Sequence, residues 1–342
     1  MTAQTVISPQ YPPHIDVTKT PLAYGDRAVP RLNKELNDAN LVMRQRAVRS
    51  LSDYLHDPEH IATALREGIA ESLKNLLSDA DVTIREKSLE CLNIIAQHAI
   101  GRDVFLDQGI LIPVSNLWDD KEDIVRRNAH RTLKMVSETP LGAEGLVQSK
   151  LVPKLVTKLP DELDEIKILI LDELHFCMAI DTTDALATEG METLTALLVH
   201  TNVDIKGRAA RNIMDLSVPL AGKNKAVEVG TVPHLVKLLE DEDVTVRANA
   251  AGALMMITIT TKGKYTAINS GALEPLVNLL SDERSTEIKV NALKAITCLS
   301  EAPEGREWLG QHVEKISELM TDKNPAVVKH ATIAVNIITW RP

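Results

Sequence analysis

Three short segments contain side chains that could do chemistry if the fold brought them together. The segment HDPEH, residues 56–60, holds His56, Glu59 and His60, which are residue types found at zinc sites. Zinc proteases need two histidines four residues apart on one unbroken helix, with a glutamate directly after the first. Because Pro58 interrupts a helix through this segment and no further ligand lies nearby, we expect a solvated loop and no metal.

The other two segments are similar to parts of a phosphate loop and of a cysteine nucleophile site. In KGKYT, around Lys264, the pattern fails because Thr258 stands where a phosphate loop needs its first glycine. DELHFC places Glu173, His175 and Cys177 on one predicted helix. Residues two positions apart face different sides of a helix, so this histidine cannot serve this cysteine. The sequence predicts no catalytic site, no cofactor and no metal, and therefore no enzyme.

The composition indicates a soluble helical protein that works inside the cell. Hydrophobic residues make up 44% of the chain but aromatic residues only 3%, which favours layers of aliphatic helices over sheets. The net charge of −10 makes nucleic acid and anionic membranes poor partners, and no apolar run is long enough to span a bilayer. Cys91, Cys177 and Cys298 are few and widely separated, which favours reduced, buried thiols.

Two series of residues recur along the chain with a period of about 41 residues. A glycine or its replacement opens each copy, at Arg27, Gly68, Gly109, Lys150, Gly190, Gly230, Gly271 and Gln311. We call the second the basic series: Arg44, Arg85, Arg126, Lys167, Lys206, Arg247, Lys289 and Lys329. Both stay in step over eight copies, which predicts a repeat architecture.

Each copy carries the signals of three helices. The opening glycine suits a left-handed residue between two helices, and a proline such as Pro233 or Pro275 follows in the next first turn. LVKLLED predicts an amphipathic helix, and the acidic loop after it supplies N-caps for a longer, alanine-rich helix. A short helix follows, with a second glycine eight residues before the next opening glycine in most copies. Two-helix HEAT units would lack this short helix.

The pattern G-x-x-P-x-L-V-x-L-L…V-R-x-x-A resembles the armadillo repeat over roughly residues 27–342. The resemblance implies an all-α, right-handed superhelical solenoid of about eight three-helix repeats. These repeats would start near residues 27, 68, 109, 150, 190, 230, 271 and 311, within a solenoid spanning residues 26–342. Residues 1–25 are rich in proline and form either a disordered tail or an extended segment that docks onto a partner.

The groove lined by the long helices is the expected binding surface. Import receptors of the armadillo family carry a recurring Trp and Asn there, but the corresponding positions of this chain do not, which disfavours that function. We predict instead that the groove binds an acidic or amphipathic segment of a partner. The residues proposed for this are Arg46, Arg49, Lys87, Arg127, Arg131, Leu169, Asp172, Arg211 and Lys294. The alternative is an ordinary solvated helix face, and we expect the basic series to tie neighbouring loops together.

The final helical segment, PAVVKHATIAVNIITWRP, predicts a second binding surface. Its polar residues form one narrow stripe: Lys329, Thr332, Asn336 and Thr339. The rest is apolar and includes Val335, Ile338 and Trp340. Because a terminal repeat needs a polar outer face, we expect another protein, or a second copy of this chain, to cap this end.

The amino-acid sequence of the whole chain, including PPHIDVTKTPLAYGDRAVPRLNKEL, also resembles the armadillo subunits of ciliary radial spokes. This resemblance implies a non-enzymatic scaffold in the axoneme of motile cilia and sperm flagella, with other radial spoke proteins as partners. The location would then be the cytoplasm, the cytoskeleton and the cilium. The alternative is a soluble adaptor that recognises short peptide segments in transport or signalling. The resemblance assigns no role to any single residue.

Overall fold

The computed structural model describes residues 28–282 and 284–340, and these ranges consist of helices joined by short connections. No strand occurs in them, which confirms the expected all-α fold. The predicted extended segment, residues 1–25, lies outside the described residues. The limits of the solenoid domain and its right-handed twist stay predictions.

The chain divides into two compact units, residues 1–132 and 133–342, and the dividing point lies within helix α8. The first eight helices are α1 Ala28–Leu36, α2 Leu41–Leu55, α3 Pro58–Arg66, α4 Ile69–Leu76, α5 Val82–Ala96, α6 Ala99–Asp107, α7 Leu111–Asn116 and α8 Asp123–Ser137. The next seven are α9 Pro140–Gln148, α10 Val152–Lys158, α11 Asp164–Met178, α12 Thr183–Ala187, α13 Gly190–Leu197, α14 Val203–Leu216 and α15 Leu220–Glu228. The last eight are α16 Thr231–Leu238, α17 Val244–Ile257, α18 Thr261–Asn269, α19 Leu273–Leu279, α20 Thr286–Leu299, α21 Pro303–Gly310, α22 Val313–Glu318 and α23 Pro325–Ile338.

These helices follow the three-helix order that the repeat predicts: a helix of six to nine residues, a long helix of 14 or 15 residues, and a third helix of five to nine residues. The third helix is therefore not shorter than the first in most repeats, contrary to the prediction. Successive long helices pack side by side within each compact unit. In the N-terminal compact unit α2 packs on α5, and in the C-terminal compact unit α11, α14, α17, α20 and α23 form one continuous row. Each compact unit is therefore an all-α solenoid in which a repeat shelters its apolar face against its neighbours.

Six described copies have a left-handed residue at the turn that opens the repeat, and glycine supplies it in four of them, whereas Gln311 in the eighth copy has a φ of −72°. Gly68, Gly230 and Gly271 have φ values of 76°, 77° and 79°. Lys150 adopts the same conformation at φ 57° without being glycine. At the fifth copy the expectation is wrong by one residue, because Glu189 takes the left-handed conformation at φ 59° and Gly190 begins helix α13.

The second glycine of each repeat has a different role, which is to let the short helix approach the long helix before it. A Cβ atom on Gly222 would stand 1.6 Å from the carbonyl oxygen of Leu216, the last residue of α14. The same clash, at 2.0 to 2.2 Å, would occur at Gly101, Gly142, Gly263 and Gly305. Because any side chain would displace backbone here, this glycine fixes the sharp turn out of the long helix.

Aliphatic side chains of the long helices form the core. Seven residues after the basic series, Leu51 and Leu92 in one compact unit and Ile213, Leu254 and Ile296 in the other are fully buried. N-cap side chains start several of these helices, as where Asp243 accepts hydrogen bonds from the backbone N–H groups of Thr245 and Val246. Burial of such rows supplies the main stabilising free energy of the stack.

Candidate functional site

The prediction that the segment around His56 forms a loop is wrong. The structure also shows why these side chains lack a zinc-type arrangement. Pro58 begins helix α3 and Asp57 caps it, so Glu59 and His60 lie in the first helical turn. His56 follows the last residue of α2. The His60 ring stacks on Tyr54 with centroids 3.8 Å apart, and His60 Nδ1 lies 2.9 Å from the Tyr54 carbonyl oxygen. His60 therefore holds together the ends of two helices.

The other two chemical candidates are also structural. Lys264 lies within helix α18, not in a loop, and pairs with Glu301. His175 pairs with Asp215, with Nδ1 and Oδ2 2.6 Å apart, while Cys177 is fully buried. Burial raises the pKa of the Cys177 thiol, and Glu173 adds to this. Burial likewise raises the pKa of Glu173 well above its usual range.

The described residues contain no group of three or more histidine, cysteine or acidic side chains placed to hold a metal ion. None of their helices is long and apolar enough to cross a membrane.

The basic series forms ion pairs between consecutive repeats, which confirms the predicted tying role. Each partner is an aspartate in the loop before the next long helix, 33 to 35 residues further along the chain. The pairs are Arg44–Asp79, Arg85–Asp120, Lys206–Asp241, Arg247–Asp282 and Lys289–Asp322. Side chains at these positions are largely shielded from water, with Arg247 and Asp282 7% and 8% exposed. We call these the inter-repeat ion pairs.

Each arginine of the series also binds the loop that precedes its own helix. Arg85 Nη1 donates to the carbonyl oxygens of Asp79 and Ala80, at 2.9 and 3.0 Å. Arg247 Nη1 donates in the same way to Asp241 and Glu242. One guanidinium thus joins two successive loops, a task that its planar set of donors suits.

The paired aspartates are also capping residues of their loops. Asp282 Oδ1 accepts the backbone N–H of Arg284 at 3.0 Å, and Asp120 and Asp241 make the equivalent bond. Hydrogen bonds from Arg284 hold the pKa of Asp282 well below its usual range, and the pair with Arg247 lowers it further. At Asp120, burial is the largest single effect and raises the pKa. The hydrogen bonds from Arg85 and from the backbone N–H of Glu122, with the charges of Arg85 and Arg126, together outweigh it, so the pKa of Asp120 is also lowered.

Arg126 is not among these pairs, and it bonds to Asp123 of its own helix at 2.7 Å. The arrangement also differs at Lys167. His200 occupies the aspartate position, and its Nδ1 accepts the backbone N–H of Asn202 at 3.0 Å. Lys167, the basic residue that should face it, forms no ion pair within the described residues. His200 Nε2 lies 3.6 Å from Asp164 Oδ1 instead. The neighbouring Val199 is 64% exposed, and both residues line an open cleft of about 790 Å³.

The predicted groove residues of the N-terminal compact unit form a cationic surface. Arg46 and Arg49 on α2 and Arg131 on α8 are exposed, and none makes a side-chain ion pair within the described residues. Lys87 is half-buried and pairs with Glu90, so it contributes less free charge. Arg127 is half-buried and makes contacts of its own. We call Arg46, Arg49 and Arg131 the arginine surface.

The predicted groove residues of the C-terminal compact unit are largely neutralised, which the sequence did not reveal. Asp172 Oδ1 accepts from Arg211 Nη2 at 2.7 Å and from Arg208 Nε at 3.1 Å. The charge of Arg211 is therefore already compensated by Asp172, and its contact with a partner stays a prediction. Leu169 is half-buried, not exposed, and Lys294 is half-buried without an ion pair in the described residues.

Sequence reasoning missed a half-buried apolar row on the same long helices. The row lies nine residues after members of the basic series and consists of Met135, Phe176, Met256 and Cys298. Their side chains offer an adaptable apolar surface, since methionine fills irregular contacts.

The last long helix presents less apolar surface than predicted. Ile338 is only 6% exposed and Val335 is half-buried, so the expectation that they lie open on the outer face is wrong. They pack inward because the short helix α21 and the preceding α20 both contact α23. Trp340 is 57% exposed, and Ile333 is 37% exposed.

Comparison with known proteins agrees with this architecture. The sequence model of the Armadillo/beta-catenin-like repeat matches residues 222–254 and 260–300. A crystal structure described as an engineered protein superposes with a TM-score of 0.83 and 24% identity, covering 91% of this chain and 78% of that one. The similarity to that structure concerns the fold alone.

Both matches lie in the C-terminal compact unit, where the structure shows the same succession of three helices per repeat. Armadillo repeats are typical of scaffolds that bind other proteins, and the long-helix surface is where this chain exposes unpaired arginines.

Proposed function

We propose that the protein is a non-enzymatic scaffold subunit that binds other proteins through the surfaces of its long helices and through its ends. The observation that carries this proposal is the arginine surface. Most basic residues elsewhere on the long helices pair with a carboxylate, and the exceptions include Lys167, Lys294 and Lys329. Arg46, Arg49 and Arg131 are exposed arginines that make no ion pair within the described residues. Leaving three guanidinium groups unpaired on one surface of a protein with a net charge of −10 favours an acidic partner segment.

We further propose that the assembly is the radial spoke of the axoneme in motile cilia and sperm flagella, and that other radial spoke proteins are the partners. The support is the resemblance of the sequence to the armadillo subunits of that structure. The proposed location in the cytoplasm, the cytoskeleton and the cilium has the same support. A soluble adaptor for short peptide segments is the second candidate, favoured by the half-buried apolar row beside the charged residues.

The experiment that separates these candidates is fractionation of motile axonemes containing the tagged full-length chain. A radial spoke subunit stays with the insoluble axoneme after detergent and moderate salt, whereas an adaptor leaves with the soluble proteins. In a variant with Arg46→Glu, Arg49→Glu and Arg131→Glu, we expect at least tenfold less protein to be retained, since rim charges steer and stabilise association.

A matched control carries the same charge change away from the long-helix surface. Lys34→Glu, Arg66→Glu and Lys121→Glu alter exposed residues of α1, α3 and a loop. This control should be retained like the unaltered protein. Equal retention of the two triple variants would refute the arginine surface as a binding site, and recovery of the unaltered chain only in the soluble fraction would refute the radial spoke.

A further inference from the structure

The outer face of the last long helix corresponds to a surface that is buried in five earlier repeats. Four residues after the basic series, Val48, Leu89, Ala210, Ala251 and Leu293 are fully buried. Val48 is buried although it lies on the first long helix, so this position faces the following repeat. The equivalent residue of α23 is Ile333, which is 37% exposed. No described residue covers it.

An unfilled ion-pair position lies beside this face. Lys329 is the last member of the basic series, and earlier members pair with an aspartate of the following repeat. Lys329 makes no ion pair within the described residues, and neither do His330 and Lys294 next to it. The nearby carboxylate of Asp322 is occupied by Lys289 at 3.3 Å. The face is therefore cationic.

The pKa of His330 is consistent with this uncompensated charge. It is lowered by burial first, and then by the positive charges of Lys294 and Lys329. No carboxylate contributes to the shift in the opposite direction.

Trp340 gives the same face an apolar anchor. The equivalent residues of three earlier repeats are Ser217, Thr258 and Ser300, which are small and fully buried. Trp340 is 57% exposed, and the Arg306 guanidinium lies 5.4 Å from its ring centroid. An end face that only contacts water would carry polar residues and not an exposed tryptophan. Tryptophan and arginine are enriched at the centres of protein interfaces.

We propose that the outer face of α23, formed by Lys329, His330 and Ile333, together with Trp340 just beyond the end of this helix, binds a helix of another protein that supplies a carboxylate in the loop before it. The carboxylate would occupy the position that Asp282 takes beside Arg247, and the apolar side of the helix would cover Ile333 and Trp340. Two exposed polar residues, Asn336 and Thr339, stand at the positions where the preceding repeat buries Ile296 and Leu299. They lower the free-energy cost of exposing this face to water.

A second copy of this chain fits this face poorly. Its own outer face would bring the same cations together, and the exposed residues of its first long helix include Arg46 and Arg49. The inference rests on the proposed scaffold function, but it does not depend on which assembly contains the protein.

The test uses photo-crosslinking of the full-length chain in motile ciliated cells. A benzophenone amino acid replaces Ile333, and in separate variants Arg131 or the exposed Asn224 on α15 as a background control. We expect the probe at position 333 to crosslink a partner peptide that has an aspartate or glutamate directly before a helix. Adding Lys329→Glu should lower this yield about tenfold, Lys329→Arg should preserve it, and changing the partner carboxylate to lysine should restore it in the Lys329→Glu background.

Four results would overturn the proposal: no crosslink above the Asn224 control, a crosslink within this chain or to a second copy, a partner peptide without a carboxylate, or no effect of Lys329→Glu. Circular dichroism of Lys329→Glu checks that its fold is unchanged. Partner crosslinks at position 131 but not at 333 would refute this inference alone. Absence of crosslinks at both positions would refute the proposed function as well.

Discussion

Substituting Arg247 by alanine is the most direct test of the inter-repeat ion pairs. Its guanidinium donates to the carbonyl oxygens of Asp241 and Glu242 and to Asp282 Oδ2, the last at 2.5 Å. Its side chain is 7% exposed, so water cannot replace these bonds without entering the structure. Arg247→Ala therefore removes three charge-assisted hydrogen bonds and leaves two carbonyl groups and a carboxylate without their donor.

The expected loss of local stability is about 2–4 kcal/mol. Removing one partner of a buried ion pair typically costs about 3–5 kcal/mol, because the other charge stays behind unpaired. The cost is smaller here because Arg284 also pairs with Asp282, at 3.0 Å, and stays in place. This residual pairing keeps Asp282 ionised without compensating the two loop carbonyl groups.

Hydrogen exchange of the full-length protein is the suitable measurement, because stacked repeats open locally and a single unfolding midpoint averages over them. Amides of α17 and of the loop at Asp282 should exchange at least tenfold faster in Arg247→Ala, while α5 stays unchanged. Arg284→Ala is the matched control, since it removes a 62% exposed partner of the same carboxylate. Equal effects of the two substitutions would refute the reasoning.

Three further predictions concern pH, glycine and cysteine. The pKa of Asp282 is lowered by hydrogen bonds from Arg284, and that of Asp241 is lowered by Lys206 against the opposing effect of burial. Their stabilisation is therefore complete above the ordinary value of 3.8 and is lost as the pH falls below it, so urea unfolding free energies should decrease from pH 5 to pH 3. A flat profile would contradict this. Gly222→Ala should lower the melting temperature more than Gly252→Ala. The new Cβ atom would lie 1.6 Å from a backbone oxygen in the first variant, but 2.6 Å from the flexible Met214 sulfur in the second. Equal shifts would show that the backbone of Leu216 can move. Cys298, the only half-buried cysteine of the described chain, should react with a thiol reagent before the other two do, and simultaneous reaction would mean that the native state opens as a whole.

The repeat and its three helices could be predicted from the sequence because each is dictated by local chemistry. A left-handed turn favours glycine, a helix start accepts proline, and an aliphatic core demands apolar residues at helical spacing. The misplacement at Gly190 shows the limit of this reasoning. Glu189 adopts a conformation that its side chain disfavours, and only the surrounding packing makes it do so.

The binding surface was less predictable, because the sequence gives the sign of a charge but not its partner. Arg131 and Arg211 occupy equivalent positions on their helices, yet one is exposed while the other bonds to Asp172 at 2.7 Å. Asp172 lies 39 residues from Arg211, so only the packing of two long helices brings them together. Ile338 was misjudged for the same reason, since its burial depends on neighbouring helices.

The inter-repeat ion pairs have a mechanical consequence. In the C-terminal compact unit they join only adjacent repeats, and all lie on the edge formed by the acidic loops. A force that pulls successive repeats apart at that edge must break these ion pairs one at a time. The apolar core on the other side keeps the repeats aligned meanwhile. We expect such a stack to extend in small reversible steps. The contact between the repeats of Lys167 and His200, which has no inter-repeat ion pair among the described residues, should open first.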